Sequence, residues 1–201
     1  MKTVAFVLVT AAITVCCLFF VIYEKKKTSV HRLVLTAVMT AMSVAGRIIF
    51  APFPGFKPVT AIIVLAGMYL GCEAGFFCGA LTALVSNFYF GQGPWTPFQM
   101  LVWGVIGILA GVLSDSLKRD KLVLIICGIA AGVLFSLIMD IYTTVWATGG
   151  WSWAFYLTAV ASAAPYTVIY AVSNVIFLLA LSKPLGGKLE RVVTKYAEGN
   201  K

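Results

Sequence analysis

Long apolar runs decide what this chain can become. Residues 3–23, 31–50, 122–147 and 153–181 are each predominantly apolar. A helix needs about 20 such residues to cross the hydrocarbon core of a bilayer. Shorter apolar runs at 59–70, 74–90 and 97–113 lie between them. The 59–70 and 74–90 runs flank Gly71-Cys72-Glu73 and predict a helical hairpin. The segment 51–58 holds three prolines in APFPGFKP and breaks the chain before it. The reading is an all-α integral membrane protein: one extra N-terminal transmembrane helix with a basic flank (1–27), a six-helix domain (30–184) and a charged tail (185–201). The tail, charged from 182 onward, is expected on the membrane surface. Run 3–23 is read as retained rather than cleaved, because Glu24-Lys25-Lys26-Lys27 follows it and no A-x-A site does.

Charge supplies the orientation. With the N-terminus outside, Lys25, Lys26, Lys27, Arg32, Lys118, Arg119, Lys121, Lys183, Lys188, Arg191, Lys195 and Lys201 fall on the inner side. Lys2, Arg47 and Lys57 fall outside, so the C-terminus is cytoplasmic under the positive-inside rule. Only 11% of residues are charged, against about 25% in a soluble domain. The net charge of +8 therefore reads as membrane orientation, with the lipid bilayer as environment and no nucleic acid as partner. The five cysteines lack metal-finger spacing and read as small buried apolar residues. His31 reads as interfacial.

Two patterns stand out within the runs. Small residues recur at helical spacing: Ala37, Ala41 and Ala45; Gly67, Gly71, Gly75 and Gly79; Gly107 and Gly111; Gly128 and Gly132. In lipid such spacing lets helix backbones approach closely. The glycines predict internal packing; the alanines suit either internal packing or a partner. The second pattern is polar and aromatic. The island SNFYFGQGPWTPFQM (86–100) interrupts aliphatic sequence on the outer side. Thr96, Pro97 and Gln99 resemble a capping box, while Trp95, Gln99 and Trp103 share one helix face. Tyr166, Tyr170 and Asn174 form a similar stripe, and Asn87, Tyr89 and Gln92 lie nearby. Asp140 is a lone acid deep in a span. Such a charge is costly and marks function, or pairs internally, with Arg47 as the candidate partner. Tyr142 and Trp146 follow on the same helix. With Phe53 from the outer loop, these residues predict an outward-opening small-molecule cavity with aromatic walls and a few placed polar groups. No phosphate loop, HExxH or Ser–His pair is present. The chain is read as a non-enzyme with no metal and no resident cofactor. A binder without an energy source of its own needs a partner.

Three features then resemble the substrate-binding S components of energy-coupling factor (ECF) vitamin transporters, over residues 30–184. LTAVMTAMSVAGR carries the Ala37–Ala41 motif. LAGMYLGCEAGFFCGALTALVSNF is similar to the family's Gly-rich second and third helices. GQGPWTPFQM is similar to a subgroup linked to cobalamin or related corrinoids. The resemblance implies a six-helix core, a lid-like loop at 50–58, a site near the outer face, and docking of the alanine stripe on a transmembrane T component served by two ATPase subunits. It implies cobalamin as first-guess cargo; riboflavin, thiamine and pantothenate are the alternatives. The helix at 3–23 departs from the six-helix pattern. Outside this family, the residues also suit a membrane lipid or prenyl enzyme using Asp140, or a self-contained secondary carrier.

Overall fold

A computed structural model describes residues 3–24 and 29–198. Lys2, the Lys25–Lys27 flank and Lys201 lie outside the described residues. The described residues form eight helices: α1 (Thr3–Glu24), α2 (Val30–Ile49), α3 (Val59–Leu70), α4 (Cys72–Phe90), α5 (Thr96–Val112), α6 (Ser114–Arg119), α7 (Lys121–Thr148) and α8 (Trp153–Glu198). Four of these, α1, α2, α7 and α8, are long and apolar enough to cross a membrane by themselves. Local chemistry sets the breaks. Ser29 caps α2 by accepting from the Arg32 amide, and Asp120 caps α7 by accepting from Leu122. Gly71, at φ 95°, turns α3 into α4, and Gly149, at φ 75°, ends α7 in a left-handed cap.

Helix α3 is the centre of the bundle. Every residue from Val59 to Leu70 except Tyr69 is buried, and α2, α4, α5 and α8 surround it. The glycines account for how closely the helices lie. A Cβ on Gly107 of α5 would collide with the backbone of Gly75 on α4, and one on Gly67 of α3 with the Gly107 carbonyl. Gly79 meets the backbone of Trp103, and Gly132 that of Ala171. These contacts join α3, α4 and α5 at one seam and α7 to α8 at another, as small-residue packing in lipid requires. Ala37, Ala41 and Ala45 stay exposed. The N-terminal helix lies against α5 and α7, with Ala5, Ala12 and Cys16 buried. Phe19 stacks on Phe76 at 4.1 Å, and Phe6 meets Trp146 edge-on at 6.1 Å.

The last helix does not stop with the expected span at residue 181. Helix α8 continues through Pro165 and Pro184 to Glu198. Beyond 181 it turns Leu185, Leu189 and Val193 onto the core, with Gly186 against the Tyr69 ring. At a rise of about 1.5 Å per residue its 46 residues span about 69 Å, more than twice a hydrocarbon core of about 30 Å.

Candidate functional site

One end of the bundle gathers the C-terminal ends of α2 and α4, the 51–58 loop, the starts of α3 and α5 and the middles of α7 and α8. A cavity of about 250 Å³ opens there, lined by Arg47, Gly55, Lys57, Val59, Thr60, Gln99, Trp103, Gly132, Phe135, Met139, Tyr170 and Asn174. Its wall is aromatic: Trp103 stacks on Phe135 at 5.2 Å and 18°, and Tyr170 meets Phe135 edge-on at 5.6 Å. Two cations stand beside it. The Arg47 guanidinium lies 4.6 Å from the Phe90 centroid and 5.1 Å from that of Trp103, and the Lys57 ammonium lies 4.9 Å from Phe90. Cations over aromatic faces are attracted by the ring quadrupole. Burial lowers the pKa of Lys57, and the charge of Arg47 lowers it further. The loop is pinned by a two-way contact. Ser173 on α8 accepts from the Lys57 amide at 2.9 Å and donates to the Lys57 carbonyl at 3.1 Å.

A hydrogen-bonded chain backs this wall. Arg47 Nη1 donates to Ser86 Oγ and, at 2.8 Å, to Asn87 Oδ1. Asn87 Nδ2 donates to Thr96 Oγ1 at 2.9 Å and to Gln99 Oε1 at 2.8 Å. Thr96 donates to Gln92 Oε1 at 3.0 Å, and Gln92 Nε2 to the Leu84 carbonyl at 2.8 Å. The expected capping box is therefore absent. Trp95 is the N-cap residue of α5, its side chain makes no capping bond, and Thr96 and Gln99 turn to Asn87.

The sequence-predicted residues divide accordingly. Arg47, Gln99, Trp103, Tyr170 and Asn174 line the cavity; Asn87, Gln92 and Thr96 support it from behind. Trp95 folds over Gly93 and is not among the lining residues. Phe53 and Tyr89, 58% and 65% exposed, and Tyr166 turn outward. Tyr142 and Trp146 do not join the site. They stack on each other at 5.9 Å and, with Ala5 and Leu8 of α1, form an apolar seam. Asp140 is 8% exposed, lies outside the lining, and its Oδ2 meets no hydrogen-bond donor. The alternative reading, an internal pair with Arg47, is not formed. Lys57, Thr60, Phe135 and Met139 line the cavity although the sequence reading did not single them out.

Helices long and apolar enough to span, packed around a polar–aromatic cavity, mark a multi-pass membrane protein. The sequence profile of the ECF-type riboflavin transporter S component matches residues 27–191, and the chain belongs to that family. It is thus a substrate-specificity subunit of an ECF transporter, in a transport family rather than an enzyme family. The match does not support the cobalamin subgroup expected from GQGPWTPFQM. Helix α1 lies outside the matched residues. No curated protein and no solved structure matches the chain.

Proposed function

We propose that this subunit captures a flavin of the riboflavin type in the Trp103–Phe135 cavity and passes it inward with a T component and two ATPase subunits. The observation that carries the reading is the cavity itself. It is about 250 Å³, just below the usual ligand-pocket range of about 300–1,000 Å³, with an aromatic wall and donors along one edge. A flat tricycle suits such a slot, with its polyol chain at the mouth. A corrin ring with its cobalt and nucleotide loop is several times larger, so the cavity favours a flavin over cobalamin. The family's name points the same way. Positive-inside charge favours the cavity end facing outward, with the N-terminus outside and the C-terminus in the cytoplasm. The exposed Ala37–Ala41–Ala45 face of α2 suits docking on the T component.

Titrating riboflavin into the purified protein tests the cargo. Saturable quenching of flavin fluorescence below micromolar ligand is expected, with no competition from cobalamin. Absence of saturable quenching at micromolar riboflavin overturns the flavin reading, and thiamine and pantothenate then come next.

A further inference from the structure

The chain behind the cavity has a fixed direction. Arg47 can only donate, and the Leu84 carbonyl can only accept. Every amide between them is oriented by those two ends. Asn87 must turn its oxygen to Arg47 and its NH₂ to Thr96 and Gln99. Gln99 then spends Oε1 on Asn87, which leaves its Nε2 for the cavity. The polar side chains beside it on α2 and the 51–58 loop are also donors, whereas the Thr60 hydroxyl on α3 can donate or accept. Trp103 lines the cavity with its ring, while its indole Nε1–H is buried with no partner. Lys57 offers its ammonium, whose neighbour is the Phe90 ring. Across the cavity, Asn174 spends its NH₂ on the Gly128 carbonyl at 3.1 Å, so its oxygen is what faces inward.

We infer that Asn87, 1% exposed and outside the cavity lining, is a positioning residue that keeps the wall formed by Arg47, Lys57 and Gln99 donor-only, and that this wall receives an acceptor edge of the cargo: adjacent carbonyl oxygens and ring nitrogens, or an anionic group. The inference rests on the cavity being the cargo site. A ligand that presented donors to this wall would leave buried donors facing donors, which is a strong basis for rejection. Asn87 acts at a distance by holding Gln99 and Arg47 in one orientation.

Asn87→Asp tests it. The carboxylate keeps its bond to Arg47 but cannot donate to Gln99. Gln99 must turn Nε2 toward residue 87 and present Oε1 to the cavity. The probes are riboflavin and four analogues, 1-deaza, 5-deaza, 2-thio and 4-thio, each of which removes or weakens one acceptor. The wild-type protein should bind at least one analogue about 10-fold or more weakly than riboflavin, the effect of leaving a buried donor unpaired. In Asn87→Asp, riboflavin should weaken by a similar factor and the penalty on that same analogue should vanish. An unchanged rank order of the five ligands overturns the inference, whether all affinities stay or all fall together, because a merely structural role would move them in common. Should Asn87→Asp fail to fold, Gln99→Glu makes the same donor-to-acceptor change and the same inversion is expected. If the wild-type chain binds no flavin, the flavin reading fails separately. Binding of pantothenate or biotin, both carboxylates, weakened by Asn87→Asp, then upholds the donor wall. Binding of cationic thiamine, or of none of these, overturns it.

Discussion

Trp103 connects the packing of the bundle to the chemistry of the cavity. Its ring stacks on Phe135 and carries Arg47, yet its N–H is buried without a partner. Such a donor costs about 1–3 kcal/mol until an acceptor arrives. Trp103→Phe keeps an aromatic ring and removes the N–H. The empty protein should be about as stable as before, while riboflavin binding falls several-fold and the ligand-induced rise in melting temperature shrinks. Asp140 predicts the opposite separation. A buried carboxylate with an unpartnered oxygen opposes folding, and it does not line the cavity. Asp140→Asn should therefore raise the melting temperature by the equivalent of about 1 kcal/mol or more and leave flavin affinity unchanged. A lower melting temperature would show that the carboxylate is paired. Lys57 gives a pH test. Its pKa is lowered in the empty fold, by burial first and Arg47 second. The fold thus favours the neutral amine, and its contribution to stability grows as pH rises from that lowered value to the unfolded one. An acceptor edge favours the ammonium instead, so binding takes up a proton. Affinity should fall as pH rises through the lowered pKa, and Lys57→Met should flatten that alkaline limb in a titration series.

Elements meet at glycine, and the site depends on that meeting. Asn87 lies on α4 and Gln99 on α5, so their 2.8 Å bond needs those helices at close range. Gly75 and Gly107 set the range, since a side chain on either would enter the other's backbone. Gly107→Val should force α4 and α5 apart, lower the melting temperature sharply and abolish flavin binding. Gly187→Ala, which meets open space, should change neither. The seam was readable in the sequence because four-residue glycine spacing has few other uses in an apolar helix. The breaks were readable for similar reasons: Gly71 and the prolines of 51–58 leave the chain little choice. The charged tail misled, because the stripe of Leu185, Leu189 and Val193 gains enough contact with the core to carry α8 past residue 181. Of the site, Arg47, Gln99, Trp103, Tyr170 and Asn174 were legible as polar or amphipathic side chains within apolar helices. Phe135 and Met139 were not, since nothing local separates a cavity-lining Phe from a core one. Tyr142 and Trp146 were misplaced because spacing defines a face but not its neighbour, and α1 occupies that face.

At the scale of the whole molecule, two apolar surfaces differ in kind. The α5–α7 face is covered by α1, through Phe6 on Trp146 and Ala5 beside Tyr142. None of the α1 residues lines the cavity, so a chain beginning at Ser29 should keep its flavin affinity and lose melting temperature. The α2 face is covered by nothing in the described chain: Val34, Ala37, Val38, Ala41, Met42 and Ala45 all point outward. Its opposite side, with Met39, Ser43 and Gly46, is buried against the bundle. A bulky residue on the outward face therefore costs the isolated subunit little, but it blocks any helix that must approach the small side chains. Ala41→Trp should bind riboflavin as the wild type does in detergent, and should abolish uptake when co-expressed with the T component and both ATPases. Ser43→Trp, on the buried side of the same helix, should instead lose binding and fold together. If Ala41→Trp loses binding as well, α2 packs inward in the membrane and the docking face must be sought elsewhere.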